Sequence, residues 1–398
     1  MNTRWIYRAF FMMAALLYVS CEKGGHGSIP SIPDIYTLGY DSGPRYLEST
    51  NQDRIVIWRN GERSEKQLDS EWTKSRTANA IYANNGMIYV VGGQGKPALW
   101  IIADDGLASA VQLTGVRADL HAVIAEKDEI YTCGEERDPY QSWGNGARLW
   151  KINHSEEVSC IALQPDSFCY AQSMCVSNGF VYVAGSLSCT ISSPGWVREY
   201  RLAKLWKVDG QGNISDIPIP APDIADDLET NSQIMDICVS SNYVYAVGEQ
   251  RYGYVYRTAT LWKVAASGEV VATPLADFSK QSFAKAICTN GGNLYVVGWN
   301  NTATGYTGIP LIVATLWEID RNGTITTTIL GDGTQHTQAL DVCVSNGCIY
   351  IVGQESSSET NGCESAIMWT VMPSGEIVTN RLTGVVSSAS ALSICSSN

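Results

Sequence analysis

The chain is short of positive charge, histidine and long apolar runs, and each shortage excludes something. Its 27 Lys and Arg face 40 Asp and Glu, giving a formal net charge of −13 over 398 residues. Nucleic acid needs a basic surface to meet its phosphates, so that partner is excluded. Only four histidines occur: His26, His121, His154 and His336. No Cys-x-x-Cys pair or Cys/His cluster has the spacing of a zinc site. A serine nucleophile elbow, a metal triad and a phosphate loop are also missing. The reading therefore expects no metal, no cofactor and no assigned catalytic residue. Beyond the first twenty residues, no apolar segment is long enough to cross a bilayer.

The start of the chain reads as a targeting segment. Arg4 and Arg8 form a positive n-region, and Ala9 to Val19 an apolar run too short to span a membrane. Ser20-Cys21 then places a small residue before a cysteine. The expectation is a signal peptide over 1–20, lipidation at Cys21, and a flexible Gly/Ser/Pro-rich tether over 21–33. Loss of Arg4 and Arg8 takes the charge from −13 to −15. This arrangement resembles the lipoproteins of Bacteroidota-type Gram-negative bacteria. The resemblance implies a domain of the cell envelope, held at the outer membrane by its N-terminal lipid only and facing the periplasm or the outside.

What fills the rest is a repeat. A Tyr-x-x-Gly segment recurs with its glycine at 39, 92, 134, 185, 248, 298 and 353. Each is followed by a Trp, at 58, 100, 150, 206, 262, 317 and 369. An all-strand unit of about 50 residues is the mark of a β-propeller. Each unit reads as four strands, A to D. Strand A ends in a cysteine column (Cys175, Cys238, Cys288, Cys343, Cys395), strand B is the Tyr-x-x-Gly segment, strand C carries the Trp, and strand D is short. Asn85-Gly86, Asn178-Gly179 and Asn346-Gly347 mark A–B hairpins. The last segment, Ala391 to Cys395, is a strand A without a B, and the first, ending at Gly39, a strand B without an A. The fold class expected is therefore all-β: a seven-bladed propeller over 34–398, monomeric, with one blade shared between the two ends of the chain. The tandem VYVxG…ATLWK units resemble bacterial propeller proteins of largely unassigned role. WD dipeptides and Asp-box turns are absent.

Tyr82 and Ile124 replace cysteine in two repeats, so the cysteine column reads as buried filling rather than a disulfide framework. Of the remaining cysteines, one pair among Cys133, Cys160, Cys169, Cys189, Cys348 and Cys363 is left open to bridging.

Loop length carries the functional expectation. The glycine-to-Trp interval, which holds the B–C loop, varies from 8 to 21 residues. The longest Trp-to-glycine interval, 42, comes from a D–A loop at Ala221 to Ser232 on the same face. Loops on a rigid scaffold are where binding usually sits. The B–C loops carry Trp143, Trp196, Tyr200, Tyr252, Tyr254, Trp299, Tyr306 and Arg251, rings suited to sugars or protein hot spots with a forked donor among them. A second candidate is the column three places before the cysteines. It holds Asn79, His121, Gln172, Met235, Lys285, Leu340 and Leu392, expected near the mouth of the central channel. Asn79, His121, Gln172 and Lys285 are its candidate ligand-binding members. The expected function is ligand binding through this face, a glycan ahead of an envelope-protein partner. Cleavage of a polysaccharide, as a hydrolase or lyase, is the third alternative.

Overall fold

A computed structural model describes residues 34–44, 54–63, 78–92, 97–103, 107–137, 145–164, 168–193, 196–220, 230–252, 256–277, 281–301, 311–356, 364–383 and 387–397. Cys21, the signal segment and the tether lie outside these residues, as do Trp143, Tyr254, Tyr306 and Cys363. The strands form seven four-stranded antiparallel sheets, each in the spatial order A-B-C-D. This is the seven-bladed propeller expected from the repeat. Blade 1 takes its strand A from the C-terminal end (Ser387–Ser396) and its B, C and D from the N-terminal end (Ile35–Pro44, Arg54–Arg59, Glu62–Arg63). Blades 2 to 7 follow in chain order, with strands A beginning at Ala78, Ala118, Cys169, Thr230, Ser282 and His336. Neighbouring strands A touch all the way round, so the ring closes.

The repeat tryptophans hold the seams. All seven are at most 1% exposed. Each packs onto the blade before its own: Trp262 of blade 5 lies with Ala184 and Leu205 of blade 4, and Trp317 of blade 6 with Val247 and Leu261 of blade 5. A buried indole removes more apolar area from water than any other side chain can, which is why this position never varies within the chain. The cysteine column fills the inner part of the same clusters. All its members are free thiols, as are Cys133, Cys160, Cys169, Cys189 and Cys348.

A β-bulge explains the repeat glycine. In every blade the A–B register skips one residue of strand A: Asn79, His121, Gln172, Met235, Lys285, Leu340 and Leu392. These seven are the variable column picked out in the sequence. The extra residue kinks strand A over strand B, and the point beneath the kink is the Tyr-x-x-Gly glycine. A Cβ on Gly298 would sit 1.9 Å from the carbonyl oxygen of Phe283, and one on Gly134 2.0 Å from that of Asp119. Only a residue without a side chain fits there. The hairpin signals hold as well: Asn178 and Gly179 have φ of 52° and 77°, the pattern of a type I′ turn.

One expectation needs correcting. The segments of blades 4 and 5 read as B–C loops are strands. In blade 4, Phe180–Ser193 and Trp196–Val208 pair without a break from Val181↔Val208 to Ser193↔Trp196. In blade 5, Tyr243–Tyr252 and Tyr256–Val264 pair up to Tyr252↔Tyr256. Thr190, Ile191, Val197 and Tyr200 are good strand formers, and they carry the ladder past the length of the other blades. Trp196, Tyr200 and Tyr252 therefore stand on two extended hairpins.

Candidate functional site

The two extended hairpins stand side by side, and a pocket of about 360 Å³ opens between them. Blade 4 contributes Tyr170, Ser188, Tyr200 and Arg201. Blade 5 contributes Asn231, Gln233, Glu249 and Arg251. The volume falls within the range of small-molecule sites.

Its polar groups are tied in a row. Arg201 Nη1 donates to Gln233 Oε1 at 3.0 Å, and its guanidinium lies over the Tyr170 ring, 4.8 Å from the centroid. Gln233 Nε2 donates to Glu249 Oε1 at 2.9 Å. The same oxygen accepts from Arg251 Nε at 3.2 Å and pairs with Arg251 Nη2 at 3.1 Å. The Glu249 side chain is 1% exposed, and its other oxygen is 2.6 Å from Nε of Arg257, behind the pocket. Burial pulls the Arg257 pKa down, opposed by the charge of Glu249. The backbone N–H of Arg201 donates to Asn231 Oδ1 across the seam, and that of Ala203 to Ser232 Oγ. Two guanidinium groups and one carboxylate thus share a pre-ordered wall.

The sequence candidates divide. Tyr200 and Arg251 meet in this pocket. Trp196 and Tyr252 lie on the same hairpins, with side chains outside the described residues. Trp299 lies elsewhere, stacked on Phe283 of the opposing strand at 5.9 Å and 14°, with Arg257 5.8 Å from its ring, in the seam between blades 5 and 6. The channel column does not converge on one site. Asn79 donates to the carbonyl of Leu120 at 2.6 Å and so links blade 2 to blade 3. His121 Nε2 is 2.9 Å from buried Glu135. Gln172 occupies the bulge of blade 4. Lys285 lies three seams from His121.

Three ionisable groups nevertheless gather inside the channel wall. Asp236 and Asp341 follow the bulges of blades 5 and 7, and Lys285 is the bulge of blade 6 between them. Asp236 accepts from Ser173 Oγ at 2.5 Å, from its neighbour Ile237 N at 2.9 Å and from Ile287 N at 2.8 Å. Asp341 accepts from Val342 N, Ser393 Oγ and Ile394 N at 2.8 to 2.9 Å. Both carboxyls are raised by burial, Asp341 to about 7, with the like charge of Asp236 adding to it. Burial lowers Lys285, opposed by the charges of Asp236 and Asp341. Both carboxylates are seam fasteners, each bonding a backbone amide of the next blade.

Sequence reading missed Tyr170, Ser188, Arg201, Asn231, Gln233 and Glu249. Only Glu249 stands at a position the repeat locates, the one after each repeat glycine, where the other blades hold Tyr40, Gly93, Glu135, Ser186, Trp299 and Gln354. Among the described residues, no three His, Cys, Asp or Glu are placed to hold a metal ion.

No protein-family model matches this chain, and no curated protein does. Solved structures share its architecture. An ACO/RPE65 chimera superposes with a TM-score of 0.52 at 10% identity, covering 94% of each chain. A mutant of Synechocystis apocarotenoid oxygenase gives 0.51 at 10% identity, again over 94% of each. The β-propeller domain of the Trilobed protease from Pyrococcus furiosus gives 0.49 at 12% identity, over 87% of this chain and 99% of that one. At such identities the likeness is one of fold alone.

Proposed function

We propose that this propeller is a lipid-anchored protein of the cell envelope, held at the outer membrane, that captures a glycan through the face bearing its extended hairpins. The observation that carries the reading is the pocket between blades 4 and 5. It offers hydroxyl, amide and guanidinium donors beside the rings of Tyr170 and Tyr200, the combination that satisfies sugar hydroxyls while covering apolar ring faces. The donors are fixed before a ligand arrives, which lowers the ordering cost of binding. Nothing in the pocket pairs a nucleophile with a base, so the reading is capture rather than cleavage.

The test uses the detergent-solubilised full chain and a panel of polysaccharides, read by affinity gels and intrinsic Trp fluorescence. Specific binding that disappears in Tyr200→Ala and Arg201→Ala, with circular dichroism showing each variant folded, is the expected result. Silence across the panel overturns the glycan reading and points to an envelope protein, to be sought by cross-linking on intact cells.

A further inference from the structure

The pocket's charge is opposite in sign to that of the protein around it. The chain carries a net −13, yet Arg201 and Arg251 face a single acid, Glu249. That acid is already spent: one oxygen accepts from Gln233 and Arg251, the other faces Arg257. It acts on the arginines rather than on a ligand. Arg251 is engaged through Nε and Nη2, and Arg201 through Nη1. Among the described residues, Nη1 of Arg251 and the Nε and Nη2 of Arg201 have no protein partner. The wall thus holds two guanidinium groups in fixed positions with donors to spare. A neutral sugar can accept from such donors but gains nothing from their charge; a carboxylate gains from both, and the open Nε–Nη2 edge of Arg201 is a fork that matches its two oxygens.

We infer that this pocket selects saccharides bearing a carboxylate, a uronic acid held by Arg201 and Arg251, with Ser188 and Asn231 placed for its hydroxyls. The inference rests on the glycan reading above and narrows it. A local cationic wall in an acidic protein also keeps other surfaces from competing for an anionic polymer, since the rest of the molecule repels it.

The experiment compares three probes on the full-length protein. The first is a set of uronate polymers: polygalacturonate, alginate and glucuronan. The second is the same polymers with their carboxyls reduced to the neutral sugars. The third is dextran sulfate, a polyanion without carboxylates. Binding is measured by calorimetry and affinity gels at two salt concentrations. We expect a uronate to bind at least about tenfold more tightly than its reduced form. Arg201→Lys, which keeps the charge but loses the open Nε–Nη2 fork, should weaken the uronate by about tenfold or more and weaken the reduced polymer much less. Arg201→Gln should act in the same direction. Circular dichroism and melting temperature establish that each variant is folded. Asn231→Asp serves as a second variant: it adds a carboxylate to the wall, keeps an oxygen to accept from the Arg201 N–H, and should repel the uronate without removing either arginine.

Equal binding of uronate and reduced polymer overturns the inference while leaving glycan capture intact. Dextran sulfate bound as tightly as the uronate, and equally weakened by salt, reduces the effect to general attraction for anions and also overturns it. Absence of binding by every polymer, neutral ones included, overturns the glycan reading itself.

Discussion

The backbone N–H of Ile394 donates to Asp341 Oδ2 at 2.9 Å, joining blade 1 to blade 7 across 53 residues of sequence. Ser393 Oγ donates to the same oxygen at 2.8 Å and in turn accepts from Ile81 N of blade 2 at 3.4 Å. One carboxylate and one hydroxyl therefore clip three consecutive blades at the point where the ring closes. Asp341→Ala leaves the amides of Val342 and Ile394 without their acceptor. It should cost about 1–3 kcal/mol, seen as a lower urea midpoint with an unchanged slope.

The same carboxyl makes stability depend on pH. Asp341 is raised to about 7 from an ordinary 3.8 by burial, so the folded state holds its proton where the unfolded chain has lost it. Stability from this group is complete below about pH 4 and falls as pH rises towards 7, on the order of 1.4 kcal/mol per unit at most. Asp236, also raised, acts in the same direction. The lowered carboxyls, such as Asp34 and Asp332, act only at more acid pH. Melting temperature should therefore decline between pH 5 and 7.5 in the native chain, and decline less in Asp341→Ala. An equal decline in both would sink the assignment.

Gly298→Ala tests the bulge. Its new methyl would meet the Phe283 carbonyl at 1.9 Å, and backbone cannot step aside as a flexible side chain can. Overpacking of about 3 kcal/mol or more is expected. Gly115→Ala, which meets nothing within 4 Å, should be neutral in the same thermal unfolding assay.

The seam tryptophans are held by area and shape. Trp262 has an indole N–H that is buried without an acceptor, as do Trp100, Trp150, Trp206 and Trp317. Removing that N–H removes no bond. Trp262→Phe should be tolerated far better than Trp262→Ala, for which about 3–5 kcal/mol is expected. Equal losses in calorimetry would mean the N–H matters.

The thiols inside the ring should be silent. Burial raises Cys175, Cys238, Cys288, Cys343 and Cys395 well above the ordinary thiol range, and the thiolate is the reactive form. Alkylation at pH 8 followed by mass spectrometry should label them only after denaturant is added. Rapid labelling of the folded protein would place them in contact with solvent as thiolates.

Much of this architecture was legible from sequence because it repeats. Trp, the Tyr-x-x-Gly segment and the Asn-Gly turns do the same job in each blade, and a job done seven times leaves a period. Glu249, Gln233 and Arg201 do something done once, so no period marks them. Asp236 and Asp341 stand two places before Cys238 and Cys343, where the other blades hold Ala or Ser, so no period marks them either. The glycine-to-Trp interval measures length and not conformation, so it reads the extended hairpins as loops. Their alternation of Thr, Val, Tyr and Arg carries the strand signal. The column three places before the cysteines is visible as a mixture of polar and apolar residues, yet its cause, a bulge that frees one side chain from the ladder, is a matter of register that letters do not carry.

Strand B of blade 1, Ile35–Pro44, is gripped on both sides, by Arg54–Arg59 and by Ser387–Ser396. This decides how the domain responds to mechanical load. A pull applied through the residues preceding Ile35 runs along the strand, so the rungs of two ladders resist together in shear instead of unzipping singly.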